Sequence, residues 1–464
     1  MYTDSLLPKS SPSPRFQNNV LEGTPALSST MERQGSGDNS PVSSKSVQRH
    51  QTELSICLSD ASRGIMRTNR IIRGVVKLHA ATRISVSQIR IKFRAEEVAT
   101  AKVRETGFDF NVDRIDQATT TYFEVTGIVW GEESKAFCLN TWEELEPGDH
   151  EFPFALKFPN VNFPPSVDDL PGFWVRYIWT AYLDAPMHHP SHRSKDYVIP
   201  YRPIICAPPG REWAHHELLY SEKKVPIAQV RLKLAKQAFC PEEYMDMELN
   251  VRMVPSEAIV AGINFALLKQ YDGILLGNIR RQHQRTVLQS SISMSGNASE
   301  ITVPIRFQIP TRLTSPCFTS KYIRVYYRLS FSIQFSTVGS LRIKAGKAVT
   351  FSVPIGIANL PYSQFSHVPE LSSIESYEDS KQAPVFFDPT LEDMPQGYVN
   401  DMTSIPAQSP PNYFSLPRAP HLYSHVKERN EHTVWTSRFV KPGFAPELGD
   451  PLTAASNFRD YNGW

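Results

Sequence analysis

Apolar residues in this chain fall on every second position in long runs, and the runs come in two blocks about 150 residues apart. In the first block Leu54, Ile56 and Leu58 alternate with other residues, and Ile89, Ile91 and Phe93 alternate with Arg90, Lys92 and Arg94. Phe152, Phe154, Leu156 and Phe158 keep the same step, and Phe173, Val175, Tyr177, Trp179 and Ala181 extend it. Successive side chains of a strand point to opposite faces, so this step gives one buried face and one more solvated face, the pattern of antiparallel sheets in a sandwich. Turn signals such as Pro147-Gly148-Asp149 and Pro171-Gly172 separate the runs. No long stretch carries the 3.6-residue period of an amphipathic helix.

The second block has the same grammar. Val230, Leu232 and Leu234 alternate with Arg231 and Lys233, followed by Met247, Leu249, Val251 and Met253. Ile301, Val303, Ile305, Phe307 and Ile309 make another run, in which Pro304 lacks a ladder donor and marks an edge strand or a bulge. Ile323 to Phe335 is the cleanest alternation, and Val349 to Ile357 closes the block. The blocks also match in detail. Pro164-Pro165-Ser166 before Val175-Arg176-Tyr177 corresponds to Ser315-Pro316-Cys317 before Val325-Tyr326-Tyr327. The expected fold is all-β: two tandem antiparallel β-sandwiches, an internal repeat of domain size. The expected division is a disordered segment over 1–50, a sandwich over 51–205, a connector over 206–224, a second sandwich over 225–358 and a disordered tail over 359–464.

Both flanks are expected to be disordered because they are rich in Ser and Pro and hold too few clustered apolar residues to offset ordering entropy. In the first, Ser11, Ser13 and Ser40 each precede a proline, which fits proline-directed phosphorylation and equally fits the ordinary composition of such a segment. In the second stands Pro410-Pro411-Asn412-Tyr413. Consecutive prolines hold an extended left-handed helix before any partner arrives, so little entropy is lost when that ridge enters the aromatic groove of a WW-type domain. The tyrosine ring fills a pocket and its hydroxyl supplies a hydrogen bond.

A formal net charge of +2 over 464 residues argues against a polyanion-binding surface, and no nucleic-acid partner is expected. No run of 18 apolar residues provides a membrane-spanning helix, and Met1-Tyr2-Thr3-Asp4 does not open a signal peptide. Five widely spaced cysteines (Cys57, Cys138, Cys206, Cys240 and Cys317) without a CxxC pair fit reduced thiols better than a disulfide framework. His188, His189, His192, His215 and His216 lie beside prolines and Trp213 in loop-like sequence and read as surface residues rather than zinc ligands. There is no nucleophile elbow and no phosphate-binding glycine loop. No catalytic site, metal or cofactor is expected.

Leu145-Glu146-Pro147-Gly148-Asp149-His150-Glu151-Phe152-Pro153-Phe154 is similar to the "L-x-P-G-x-H-x-F-P-F" segment of the arrestin family, α-arrestin branch, whose fungal members are ubiquitin-ligase adaptors. Arg73 to Leu78 resembles that family's early Gly-x-Val-x-Leu strand, and Tyr322 to Phe335 resembles the corresponding strand of its C-terminal domain. The resemblance covers about residues 52 to 357. It implies a non-enzymatic, cytoplasmic adaptor whose Pro410, Pro411, Asn412 and Tyr413 recruit a HECT-type ubiquitin ligase through its WW domains. The implied cargo is the cytosolic part of a plasma-membrane transporter or receptor, marked for endocytosis. Membrane association would then be peripheral, with recruitment to the plasma membrane, endosomes or Golgi. Self-ubiquitination is implied too, with Lys321, Lys344, Lys347 and Lys381 as candidate acceptors. The alternative reading keeps the fold as a signalling scaffold or a retromer-like trafficking subunit without ligase recruitment. The chain departs from the family pattern in carrying one full Pro-Pro-x-Tyr motif, and in an insert at Lys102 to Gln117 that is long for a sandwich loop.

Overall fold

The structure, a computed structural model, describes residues 52–59, 62, 64–106, 111–131, 143–185, 191–221, 223–254, 258–277, 279–294, 298–311, 315–337, 348–365, 374–389 and 427–440. The first sandwich is built from β1 (Glu53–Leu58), β2 (Ile71–Ala80), β3 (Ile84–Val86), β4 (Gln88–Thr106), β5 (Asn111–Gly131), β6 (Glu143–Leu145), β7 (Gly148–Lys157), β8 (Val161–Asn162), β9 (Val167–Leu170), β10 (Phe173–Asp184), β11 (His192–Arg193) and β12 (Tyr197–Ile199). The second is built from β13 (Trp213–Tyr220), β14 (Pro226–Leu234), β15 (Ala238–Phe239), β16 (Tyr244–Met253), β17 (Ala258–Leu275), β18 (Ile279–Ser293), β19 (Glu300–Gln308), β20 (Phe318–Thr319), β21 (Ile323–Thr337) and β22 (Ala348–Ile357). After the four-residue helix α1 (Tyr362–Phe365) come β23 (Glu375–Ser376), β24 (Val385–Phe387) and β25 (His432–Val440).

The expected two-sandwich architecture is what the chain forms. In the first, the sheet β1-β2-β7 faces the sheet built on β10, β4 and β5. In the second, β13-β14-β16-β19 faces β15-β22-β21-β17-β18. The alternating residues are the core: Ile89, Ile91 and Phe93 on β4 are fully buried, as are Leu329, Phe331 and Ile333 on β21. Phe93 stacks on Trp179 with centroids 4.1 Å apart, and Phe331 stacks on Phe351 at 4.8 Å. Each such ring removed from water contributes roughly 1.5–3 kcal/mol. Pro304 sits on β19, the outer strand of its sheet, opposite Glu248 of β16, an edge position of the kind where a strand proline is tolerated.

The internal repeat has a chemical basis. Tyr177 Oη donates to the Pro164 carbonyl at 2.6 Å, and Tyr327, 150 residues on, donates to the Ser315 carbonyl at 2.8 Å. Each fully buried tyrosine closes the same proline-containing turn against its strand, so the matching sequence pieces are matching tyrosine-to-turn ties. Burial pushes both phenols well above the ordinary tyrosine range.

Four expectations change. The connector ends sooner than expected: Trp213–Tyr220 is a strand paired with β14, within the expected 206–224 connector, and only its Leu219 is buried, so no alternation announced it. The insert at Lys102 to Gln117 is not a loop but the far end of the β4–β5 hairpin, paired out to Thr106 and Asn111. Strand β10 is buried on both faces: Arg176 is covered by its ion pair to Asp168, and Thr180 donates to Asp196 at 2.7 Å. Within 359–464, residues 359–365, 374–389 and 427–440 are ordered and supply three strands, so the expected disorder does not hold for those stretches. The reason is an available edge. The first sandwich leaves the outer sides of β5 and β7 unpaired by its own strands, and segments of the tail complete them.

Candidate functional site

Pro410, Pro411, Asn412 and Tyr413 lie outside the described residues, but the chain on both sides of them is fastened to the first sandwich. Upstream, β24 pairs antiparallel with β7, and its Phe386 ring sits against Gly127, where a Cβ would lie 2.6 Å from the ring. Glycine at 127 is what lets that ring approach β5, and Phe154 and Trp179 complete the seat at centroid distances of 6.4 and 6.1 Å. Downstream, β25 pairs with β5 over nine residues, His432 with Thr121 through Val440 with Asp113. Just before β25, the Asn430 amide copies a strand residue: its Oδ1 accepts from Glu124 N–H at 2.8 Å and its Nδ2 donates to the Glu124 carbonyl at 3.1 Å. The two segments are also tied to each other. Ala383 N–H donates to the Lys427 carbonyl at 2.8 Å, Arg429 N–H donates to the Lys381 carbonyl at 2.7 Å, and Gln382 bridges Glu428. The motif therefore stands on a closed run of chain whose two ends meet on one body.

These tail strands lie beside the seam between the sandwiches. Glu97, on β4 and fully buried, accepts from four donors. Tyr122 Oη comes from its own sandwich at very short range, while Ser320 Oγ (2.6 Å), Tyr322 N–H (2.9 Å) and Lys321 N–H (3.3 Å) come from the β20–β21 turn of the other. Burial raises the Glu97 carboxyl above the ordinary carboxylate range, and the donors oppose that rise. Tail residues touch both sides of this latch. Thr433 and Thr120 share a hydrogen bond of 2.9 Å, Lys321 Nζ donates to Thr433 Oγ1 at 2.8 Å, and the Trp435 ring meets Tyr322 edge-on. Tyr377 packs between Tyr122 and Phe318.

A second contact closes the seam farther along. Tyr271 Oη on β17 donates to Asp169 on β9 at 2.5 Å, and Arg285 on β18 reaches the same carboxylate at 3.4 Å. Gly273 packs against Phe173 and Leu170. Two residues before Tyr271 is Lys269, buried, with its ammonium 4.9 Å from the Tyr271 ring and no ion pair among the described residues. Burial pushes Lys269 down to about 7, a shift that Asp169 opposes and Arg202 and Arg285 reinforce.

The other expected residues do not form a common site among the described residues. Lys321 is exposed but its amine is held by Thr433. Lys381 is exposed at the point where the tail segments join. Lys344, Lys347, Ser11, Ser13 and Ser40 lie outside the described residues, as do His188 and His189. His215 pairs with Glu217 at 3.1 Å on β13, away from His192 on β11. Among the described residues no group of three or more His, Cys, Asp or Glu side chains converges as a metal site would require. No disulfide joins cysteines among the described residues, and burial pushes the Cys206, Cys240 and Cys317 thiols up, away from reactivity.

Sequence reasoning missed Glu97 and Lys269, and the signal for both is parity. Glu97 continues the inward row Ile89, Ile91, Phe93, Ala95, and Lys269 continues Ile263, Phe265, Leu267. A charge on an inward row costs too much without a partner across the core or an interface, so such a break marks where the row runs out from under its own sandwich.

Two family models match the chain. Residues 56–202 match the arrestin (or S-antigen) N-terminal domain, and residues 227–362 match the arrestin (or S-antigen) C-terminal domain. No curated protein matches the chain.

Proposed function

The chain belongs to the arrestin family, and from that premise we propose that it is an adaptor carrying a WW-domain, HECT-type ubiquitin ligase to the cytosolic part of a membrane transporter or receptor. Pro410, Pro411 and Tyr413 make the contacts with the WW domain, and Asn412 faces solvent. The sandwiches recognise the cargo, and ubiquitin on the cargo directs it to endocytosis. No helix among the described residues is long and apolar enough to cross a membrane. The adaptor works in the cytoplasm and reaches the plasma membrane, endosomes or Golgi through its partners.

The observation that carries this reading is the placement of the motif between two segments strand-paired to the first sandwich. A ligase docked at Tyr413 stays tethered to the folded body from both directions.

The test is a titration of WW domains against the tail. Replacing Pro410 and Tyr413 by alanine removes both the preformed ridge and the ring, which costs about 2 kcal/mol or more at a small interface, roughly thirtyfold in affinity. One full motif leaves nothing to compensate through avidity. Equal affinity of native and Tyr413→Ala chains would instead favour an arrestin-fold scaffold that recruits no ligase.

A further inference from the structure

β25 ends a sheet. In the order β11-β10-β4-β5-β25 its inner side pairs with β5, and among the described residues no strand pairs with its outer side. An edge strand offers a row of N–H and C=O groups that template another strand, and proteins blunt such edges with proline, charge, bulges or short length. Other edges of this chain are blunted in these ways. β19 carries Pro304, β18 carries Arg280, Arg281 and Arg285, and β1 has six residues and carries Glu53. β25 is built differently. Its nine residues hold no proline and no acidic residue, and its ladder to β5 runs without a register shift.

Its apolar side chains are unusually open. Trp435 is 52% exposed and Phe439 69%, and both stand on the face that carries Thr433 and Ser437. Trp435 meets Tyr322 edge-on, whereas Phe439 has no ring partner among the described residues. Val434, on the other face, is exposed as well.

The strand is also self-complementary. If two copies run antiparallel with Thr436 opposite Thr436, residues equidistant from Thr436 face one another. Trp435 then faces Ser437 of the second copy, Thr433 faces Phe439, and Val434 faces Arg438. Small Ser437 leaves room for the indole, and Phe439 of the second copy stands on the diagonal from Trp435, within reach of an aromatic ring. Arg438, the one arginine of the strand, lays its stem on Val434 and never meets its own like. Threonine facing threonine at the centre is a pair that hydrogen-bonds across strands. The Trp435 and Phe439 side chains of two copies expose together roughly 500 Å². Joining the two strands edge to edge brings the contact to the order of 1,000 Å², the size of a weak but specific interface.

We propose that β25 is a homodimerisation edge: two copies of this chain join antiparallel through β25, with Thr436 on the two-fold axis, so that the two sheets become one. The contact is isologous and closes on itself, so it makes dimers and not fibres. It requires no ligase and stands or falls apart from the ligase reading.

The experiment is sedimentation velocity of the full chain from low to high micromolar concentration, where a dimer is expected to grow in. Thr436→Glu sets two carboxylates face to face and is expected to raise the dissociation constant at least about tenfold. Phe439→Thr keeps a strand-forming residue, removes one ring from each copy and is expected to weaken pairing in the same direction. Thr436→Glu chains mixed with Thr436→Lys chains are expected to pair again, because opposite charges then face each other on the axis. Amide exchange over Asp113 to Thr121 checks that β25 stays seated on β5 in each variant. A chain that is monomeric throughout, or self-association that neither Thr436→Glu nor Phe439→Thr weakens, would overturn the proposal. So would a loss of pairing in Thr436→Glu that Thr436→Lys chains fail to restore, because the effect would then lie in the strand itself and not in its meeting with a second copy.

Discussion

Lys269 shows what a single residue contributes at the seam between two packed bodies. Its neighbours on the inward row of β17 are Leu267 and Tyr271, and the charges that act on it are Asp169 on β9, Arg285 on β18 and Arg202 just after β12. Two of those three are cations, so burial is not compensated, and its pKa falls to about 7 from an ordinary value of about 10.4. Between those values the unfolded chain holds a proton that the folded chain does not. Stability therefore rises with pH across that window, by up to about 1.4 kcal/mol per pH unit, and the Lys269 contribution is level below about 7. Lys269→Met keeps the volume and removes the charge. The variant is expected to lose this slope, and to be the more stable protein near pH 7.5 because folding no longer strips a proton from an amine that keeps it in the unfolded chain. Urea midpoints at about pH 7.5, 8.5 and 9.5 measure both. Parallel pH profiles for the two proteins would mean that Lys269 keeps its proton in the folded state.

At the scale of elements, β25 is a strand that the tail adds to the edge of a sheet built by the first sandwich. Its attachment is the backbone ladder to β5 reinforced at a few side chains, and Ser437 is the most telling of these. Its hydroxyl donates to Asp116 Oδ1 at 2.6 Å. Burial tends to raise that carboxyl, but the Ser437 and Arg114 hydrogen bonds hold it below the ordinary range, so it is ionised. Ser437→Asp replaces the donor with a second carboxylate opposite the first, a like-charge pair across a ladder that costs about 1 kcal/mol or more. The expected result is faster amide exchange over Asp113 to Thr121, with β14 and β16 in the other sandwich unchanged. Ser437→Ala, which removes only the donor, is expected to have a smaller effect. Unchanged protection over Asp113 to Thr121 in Ser437→Asp would show that the backbone ladder alone holds β25. The same strand shows where sequence reading stops. The core strands announce themselves because alternation is local, as in Ile323 to Phe335. β25 pairs with a strand more than 300 positions away, as in the Thr433–Thr120 bond, and its own side chains are mostly exposed, so neither its partner nor its inward face is written in its pattern. For the same reason the Pro-Pro-x-Tyr motif was legible as a local signature, whereas the fastening of the chain on both sides of it was not.

For the whole molecule, the seam fixes how the two sandwiches are held, and Gly273 is the place to test it without disturbing either sandwich. It lies within β17, opposite Ile323 on β21 and Arg281 on β18, so its own ladder is complete on both sides. A side chain there meets the other sandwich instead: a Cβ would lie 2.8 Å from the Phe173 ring and 2.9 Å from Leu170. Both neighbours are buried, and Phe173 has no room to retreat. Valine favours strands over glycine by up to about 1 kcal/mol, so judged by β17 alone Gly273→Val should stabilise the protein. Judged by the seam it should not, because overpacking a closed contact typically costs about 1–3 kcal/mol. It also moves Tyr271 relative to Asp169, two residues away on the same face, and strains the Glu97 latch through the shared β4 and β21 frames. Small-angle scattering of the full chain is expected to show a larger radius of gyration for Gly273→Val. Spin labels on exposed strand positions, one per sandwich, are expected to report a longer and broader distance. The tyrosine ties at Pro164 and Ser315 lie within their own sandwiches, so strand content by circular dichroism should stay at the native level. A native distance distribution in this variant would show that Phe173 yields, and that the Glu97 latch and the tail strands beside it are sufficient to set the geometry of the pair.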